Sequence, residues 1–169
     1  MTQTQARERT FTWSDPFATA ALMGQRSGLE LLSAMAGGDL PGPPIMATIG
    51  VDGLEVESGS VSFLLTPQEF HFNPLGTVHG GIISTLLDSA AGCTVHSVLP
   101  AGRGYTSLDL SVKFLRPVTL QSGRLRATGS LLSQGRTTAL AQAQLHDAAG
   151  RLCAHATSTC MLFDLPPAG

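Results

Sequence analysis

The chain has 169 residues and a formal net charge of −2, with 43% hydrophobic but only 13% charged residues, against about 25% charged in an average soluble protein. That length gives one domain with room for a full core. With 5% aromatics and no basic block it lacks the positive footprint of a nucleic-acid binder, and no apolar run reaches the roughly 20 residues of a membrane span.

So little charge on a small domain implies that part of its surface is hidden against other copies of the chain, so a homo-oligomer is expected. The N-terminal Met-Thr-Gln-Thr-Gln-Ala-Arg-Glu-Arg has no apolar core of the signal-peptide kind. Cys93, Cys153 and Cys160 show no metal-type spacing, and Cys153 and Cys160, seven apart, would face opposite sides of one strand. An odd number of thiols without an export signal reads as reduced and cytoplasmic.

In chain order, residues 1 to about 16 are polar and expected to be loose. Leu29, Leu32 and Met35 have helical spacing over 26–36, and Gly37-Gly38 ends that helix. Pro41, Pro43 and Pro44 make a stiff connector. Leu54 and Val56, then Val61, Phe63 and Leu65, alternate with polar residues around Gly59, which predicts two antiparallel strands and a short turn. A long helix follows from about His79 to Val98. Its apolar positions Ile82, Ile83, Leu86, Leu87, Ala90, Ala91, Val95 and Val98 cover more than one stripe, so it should be buried on most sides.

After Pro100, Gly102 and Gly104, the alternation of Leu108, Leu110, Val112 and Phe114 predicts a strand stopped at Pro117. Leu125 to Leu131 and Ala139 to Leu145 predict two more, and Asp147-Ala148-Ala149-Gly150 is a turn leading to a last strand over 151–163. Two strands, one helix and four strands describe an α+β single domain, an antiparallel sheet curled around a central helix. Gly102-Arg103-Gly104 lacks a third glycine and a preceding strand, so it is no dinucleotide loop.

The chemistry concentrates in residues 73–88. Gly80 and Gly81 leave backbone amides bare at a helix start, where a thioester oxygen could gain hydrogen bonds as it becomes an oxyanion. Equally, the glycines could serve only close packing on the sheet. Asp88 sits among aliphatic residues on a strip with Ser84, Thr85 and Gly92. A carboxylate in such surroundings needs a partner, a neighbouring strand or subunit, or a task as base or nucleophile. Gly80 and Asp88 are roughly 12 Å apart along the helix axis at about 1.5 Å per residue. An oxyanion donor and a nucleophile must both lie within about 3 Å of one reacting group. Two antiparallel helices across a two-fold axis satisfy that, so a site shared between subunits is expected.

Asn73, His79-Gly80-Gly81 and Asp88, at these spacings, resemble the hotdog-fold acyl-CoA thioesterases of the phenylacetate-pathway (PaaI-like) type. Gly104-Tyr105-Thr106-Ser107-Leu108-Asp109, Phe114-Leu115-Arg116-Pro117, Gly135-Arg136 and the stretch from Asp147 to Ala156 fit the same family, over about residues 28–164. The resemblance implies a hotdog domain over 45–164, preceded by a flexible extension (1–25) and by the lead helix with its connector (26–44), and followed by a tail (165–169). It implies Gly80 as oxyanion amide and Asn73 as the side chain placing thioester or water. Asp88 of the facing subunit would be nucleophile or general base, and Ser107, or Thr106 beside it, would orient the water. His79 would hold the loop without touching substrate, and Gly81 would border the substrate.

Coenzyme A carries phosphates, for which Arg103, Arg116 and Arg136 are candidates, with the Gly135-Arg136 pair the best of them. Acyl-CoA is then the partner molecule, with no separate cofactor and no metal. The chain would form a homodimer, with dimers pairing into a tetramer. Two rival readings remain: a hotdog hydratase or dehydratase, which needs a catalytic His paired with an acid, and a non-catalytic acyl-CoA sensor. A serine-hydrolase elbow is absent. Cys93 and His96 have no second ligand pair for zinc, and the neighbours of Cys93 do not activate a thiol.

Overall fold

The structure is a computed structural model, and it describes residues 6–165. Its elements are α1 (Pro16–Ala20), α2 (Gly28–Gly37), α3 (Pro44–Ile49), β1 (Val51–Glu57), β2 (Ser60–Leu65), α4 (Gly80–His96), β3 (Arg103–Ser107), β4 (Ser111–Phe114), β5 (Leu125–Gln134), β6 (Thr138–His146) and β7 (Leu152–Asp164). The strands form one antiparallel sheet in the order β1-β2-β5-β6-β7-β3, with β4 also pairing with β7. The α4 helix packs across the concave face. This is the hotdog architecture expected from the sequence.

The close seat of α4 follows from small side chains. Ala90 and Ala91 on the helix and Ala127, Ala141, Ala143, Ala154 and Ala156 on the sheet are wholly buried. At Gly129 of β5 an added Cβ would stand 2.2 Å from the Ala90 carbonyl oxygen, so only glycine lets the helix backbone come this near. Leu86, Leu87, Leu125 and Leu145 fill the remaining volume. Polar groups inside are paired. The fully buried Thr94 Oγ1 accepts from Val61 N–H at 3.1 Å. Ser97 Oγ donates to the Thr94 carbonyl at 2.7 Å and accepts from Gly59 N–H at 2.9 Å, tying the β1–β2 turn to the end of α4. That turn needs glycine, because Gly59 has φ +80°.

The predicted lead helix is α2. Ser27 and Glu30 form its capping box and Gly38 ends it in the left-handed conformation. It lies over the C-terminal end of α4, with Gly28 N–H donating to the Leu99 carbonyl. Two short helices were not foreseen. The α1 helix interrupts the stretch assigned as an extension, with Asp15 accepting from Phe17 N–H at its start. The α3 helix extends the proline connector, with Pro44 at its first turn and Gly50 at φ +74° behind it. Arg9 of the N-terminal segment donates to the α3 carbonyls of Ala47 and Thr48. Residues 1–5, and 166–169 of the tail, lie outside the described residues.

The largest departure lies after α4. The strand expected over 108–114 begins only at Ser111, as β4; residues 108–110 form a break, and a separate strand, β3, precedes it over 103–107. Bonds to Asp109 supplement a single backbone bond there, from Leu108 N–H to the Thr159 carbonyl at 2.8 Å. Asp109 Oδ1 accepts from Thr159 N–H at 3.1 Å, and the Asp109 carbonyl accepts from Ser158 Oγ at 2.8 Å. Cys153 and Cys160 also differ from expectation. Cys153 is the extra residue where β7 steps from Leu152 to Ala154 opposite His146 and Leu145, and both cysteines are buried in the core.

Candidate active site

Two depressions flank α4, one at its start and one at its middle. The first is built by the loop before the helix. Asn73 closes that loop on itself. Its Oδ1 accepts from Leu75 N–H (2.9 Å) and Thr77 N–H (3.3 Å), and its Nδ2 donates to Thr77 Oγ1 (3.0 Å). Gly76, at φ +75°, turns the chain. Val78 and His79 are then fixed by bonds from their N–H groups to the carbonyls of Val118 and His71, both 2.8 Å.

His79 is the N-cap of α4. Its Nδ1 accepts from Gly81 N–H at 2.9 Å, satisfying one of the amides that a helix start leaves open. The amide of Gly81 is thereby spent on the cap, whereas Gly80 N–H has no acceptor among the described residues. Gly80 lines a depression of about 350 Å³ together with Asn73, Ile83, Phe114 and Arg116. Glycine serves close packing here too, since a Cβ at Gly80 would stand 3.0 Å from Phe114 Cζ. Both readings thus have a physical basis at Gly80, whereas the Gly81 amide serves the helix cap.

The second depression, of about 320 Å³, is lined by Ser84, Thr85, Asp88, Ser107 and Asp109 among others. Asp88 is half-buried, and its Oδ1 accepts from Ser107 Oγ at 3.1 Å. The partner that a carboxylate in such surroundings needs is thus supplied by the neighbouring strand β3, and Asp88 is only partly buried. Ser107 pairs with Cys160 and Thr106 with Met161 on β7. Neighbours on a strand point to opposite faces, so with Ser107 directed at α4, Thr106 points away from it and is exposed.

Within one chain the two depressions share no lining residue. Asn73, Gly80 and Arg116 gather at one, and Asp88 and Ser107 at the other. Arg116 makes no salt bridge among the described residues. Gly135 and Arg136 lie away from both, in the β5–β6 hairpin, where Gly135 N–H donates to the Thr138 carbonyl. Arg103 is committed elsewhere. It pairs with Asp164 at 2.7 Å and donates to the Arg136 carbonyl at 2.8 Å.

Three further residues shape the site beyond those singled out individually in the sequence. Thr77 anchors the Asn73 amide, Asp109 pins the break after Ser107, and Phe114 lies against Gly80. None of the three carried a local signal, since Asp109 falls in the polar phase of the alternation as Ser111 and Lys113 do. Cys93 is no nucleophile. The residue keeps some accessible surface, but burial of its thiol pushes the pKa up to about 12, where the thiolate is not populated at neutral pH. Among the described residues no three His, Cys, Asp or Glu side chains gather as metal ligands. No helix among them is long and apolar enough to cross a membrane.

A family model described as the thioesterase superfamily matches residues 75–154, the stretch that holds α4, β3, β4 and most of the sheet. A solved phenylacetic acid degradation-related protein from Ralstonia eutropha JMP134 superimposes with a TM-score of 0.69 at 31% identity, covering 77% of this chain and 98% of that one. The chain belongs to the hotdog thioesterase superfamily. Among curated members of that superfamily, it is 31% identical over 93 residues to mouse (Mus musculus) acyl-coenzyme A thioesterase 13, spanning 54% of this chain and 65% of that protein. It is 35% identical over 98 residues to the medium/long-chain acyl-CoA thioesterase YigI of Escherichia coli strain K12, spanning 50% of this chain and 62% of that protein. The matches thus span less than two thirds of the length of either curated relative.

Proposed function

We propose that this chain hydrolyses acyl-CoA thioesters to free acid and coenzyme A at a site shared between two copies. The observation that carries this reading is the pair of incomplete halves. One is an open amide at Gly80 beside the Asn73 loop, and the other is a carboxylate at Asp88 with a hydroxyl partner. An antiparallel pair of α4 helices would bring Gly80 of one copy to Asp88 of the other. The active unit is then a homodimer, and two dimers would pair as a tetramer. The low charge content supports such self-association.

In this arrangement the thioester carbonyl oxygen lies at Gly80 N–H, which stabilises the negative charge that develops as the carbonyl carbon becomes tetrahedral. Asp88 either takes the proton of the attacking water or attacks the carbonyl carbon itself. Ser107, bonded to one carboxylate oxygen, leaves the other free for either task and helps place the water. In either route collapse of the tetrahedral species breaks the carbon–sulfur bond. In the water route the proton held by Asp88 returns to the leaving coenzyme A thiolate; in direct attack a mixed anhydride on Asp88 is left, which water hydrolyses to the free acid and Asp88 while a proton of that water goes to the thiolate. His79 keeps the Gly81 amide turned into the cap and so fixes the start of the helix. Arg116 would meet the coenzyme's phosphates at the mouth. The Gly135–Arg136 hairpin would do so only if the coenzyme crosses onto the neighbouring strands. The reading needs no cofactor beyond the coenzyme A of the substrate, and the three free thiols support a cytoplasmic location for it.

Two relatives that bear acyl-CoA thioesterase names support the substrate class. The alternative, an acyl-CoA binder without turnover, keeps the same pocket. Release of free thiol from a panel of acyl-CoAs separates the two. Tight binding of an acyl-CoA with no thiol released would remove the hydrolase.

A further inference from the structure

The loop that leads to Gly80 stands on two feet, His71 and His79. His79 N–H donates to the His71 carbonyl at 2.8 Å, Phe72 pairs with Val78, and Asn73 N–H donates to the Thr77 carbonyl at 2.8 Å. The buried His71 ring fastens its own foot to the body of the fold. Its Nδ1 accepts from Gln68 N–H at 3.0 Å, across the 3₁₀ turn at Glu69–His71, and its Nε2 donates to the Ile49 carbonyl at 2.7 Å. Arg9 reaches the same end of α3 from the N-terminal segment. Its guanidinium donates to the carbonyls of Thr48 at 2.5 Å and Ala47 at 2.6 Å, and lies 4.0 Å from the centre of the Phe70 ring. Phe70 in turn meets the His71 ring edge-on, with 4.2 Å between centroids. The last carbonyls of a helix are the ones open to outside donors, and here three in a row take Arg9 and His71. All of these parts precede residue 75, where the match to the thioesterase superfamily begins.

We propose that His71 is a positioning residue for the Gly80 amide, and that Arg9 is the clamp that holds it in place. The proposal rests on the thioester-hydrolase reading above, in which Gly80 N–H receives the oxyanion. Every bond involved lies within one chain, so the brace is in place whichever way the second copy approaches. Gly80 follows His79 directly, and His79 N–H is held by the carbonyl of the residue whose ring is locked. A shift of His71 therefore moves the N-cap and turns the open amide. Val78 N–H, bonded to the Val118 carbonyl at 2.8 Å, still secures the other foot. Loosening His71 thus misaims the amide without releasing the helix. An oxyanion donor acts chiefly in the transition state, so misaiming it costs kcat rather than KM. Arginine suits the clamp because its planar fork spans two adjacent carbonyls while its face rests on Phe70.

The test is kcat and KM for Arg9→Ala, Arg9→Lys, His71→Phe and His71→Gln, on whichever of acetyl-, octanoyl- and phenylacetyl-CoA the wild type cleaves fastest. Oligomeric mass is measured on each, and hydrogen exchange over residues 72–82 is followed by mass spectrometry. His71→Phe leaves the Gln68 amide and the Ile49 carbonyl unpaired, and should lower kcat by about tenfold or more. KM should stay within about twofold, and exchange over 72–82 should quicken. His71→Gln keeps a donor and an acceptor and should recover most of the loss. Arg9→Ala should lower kcat by about threefold, and Arg9→Lys, which lacks the planar fork, should recover only part of it. Arg9 is partly exposed, so its variants test the brace even where His71→Phe fails to fold. Unchanged kcat and exchange in Arg9→Ala would overturn the clamp, and unchanged kcat in a folded His71→Phe would overturn the positioning role. So would losses that appear in KM alone or follow only from a smaller oligomer. Absence of wild-type turnover on every acyl-CoA would overturn the hydrolase reading, while the exchange over 72–82 would still decide whether Arg9 and His71 hold the loop.

Discussion

Ser107 Oγ donates to Asp88 Oδ1 at 3.1 Å, joining the end of β3 to the middle of α4. One carboxylate oxygen is thereby held and the other remains available in a depression open to solvent. If Asp88 carries the chemistry, Asp88→Ala should lower kcat by about 10²- to 10⁴-fold, the usual contribution of a positioned base. Ser107→Ala should lower it by about tenfold, the worth of one hydrogen bond to a charged group. Thr106→Ala, altering a side chain on the other face of β3, should leave kcat near the wild-type value. Steady-state kinetics with thiol detection, alongside size-exclusion mass, checks all three. Wild-type turnover in Asp88→Ala would end the proposed mechanism.

The choice between Ser107 and Thr106 shows what the sequence could and could not carry. Period-two alternation located β1, β2, β5 and β6, the Asp147–Gly150 turn signal located β7, and the broad apolar stripe with its two glycines located α4 to within two residues. The strand after the helix was misread because Leu108, Leu110, Val112 and Phe114 alternate as one strand would. The bonds that break it, from Asp109 to Ser158 and Thr159, join residues some fifty positions apart, and no local pattern reports them. The direction in which Ser107 points depends on its register with Cys160, which is also non-local. The same limit hid Phe114 as a wall of the Gly80 depression. By contrast α3 was legible in principle, since Pro44 at the first turn and Gly50 after the last residue are ordinary helix boundaries.

His79 acts through the helix start. Replacing it with alanine removes the acceptor of Gly81 N–H and should cost about 1 kcal/mol, the usual worth of an N-cap, or roughly 2–4 °C in Tm for a chain of this size. Turnover should fall as well, because the adjoining Gly80 amide is held by the same turn. His79→Asn restores a capping acceptor and should recover both quantities. Calorimetry and kcat on the two variants provide the check. If His79→Asn regains stability but no activity, the imidazole does more than cap the helix.

Gly129 is where sheet and helix touch. Because a Cβ there would stand 2.2 Å from a backbone oxygen of Ala90 and equally near Thr94 Oγ1, Gly129→Ala must push α4 away from β5. Overpacking of this kind costs about 1–3 kcal/mol, and it would also shift Asp88, one turn or less from Ala90. Gly135→Ala is the matched control, since its Cβ would meet the Thr138 carbonyl at 3.4 Å, close to ordinary contact. Urea denaturation should show a clear fall in midpoint for Gly129→Ala and little change for Gly135→Ala. Equal midpoints would mean that the helix is not seated as tightly as described.

The stability of the fold should weaken on mild acidification through His71. This residue is 2% exposed. Its Nδ1 accepts from Gln68 N–H at 3.0 Å, so Nε2 carries the proton that reaches the Ile49 carbonyl at 2.7 Å. Burial holds its pKa below the ordinary 6.5, and the nearby Arg9 guanidinium lowers it further, against the opposing pull of the Ile49 carbonyl. Above pH 6.5 the imidazole is neutral in both folded and unfolded chains and costs nothing. As pH falls below that, the unfolded chain takes up a proton that the folded one still refuses, so unfolding becomes easier. The loss continues until the lower folded pKa is reached. Burial lowers the pKa of His96 in the same way, so the two act together as the pH falls below the ordinary histidine value. Thermal unfolding at pH 7.5, 6.5 and 5.5 should show Tm falling. In His71→Gln, which keeps one donor and one acceptor without a titrating proton, Tm should start lower but decline less steeply. A decline as steep as that of the wild type would show that His71 does not titrate in this range.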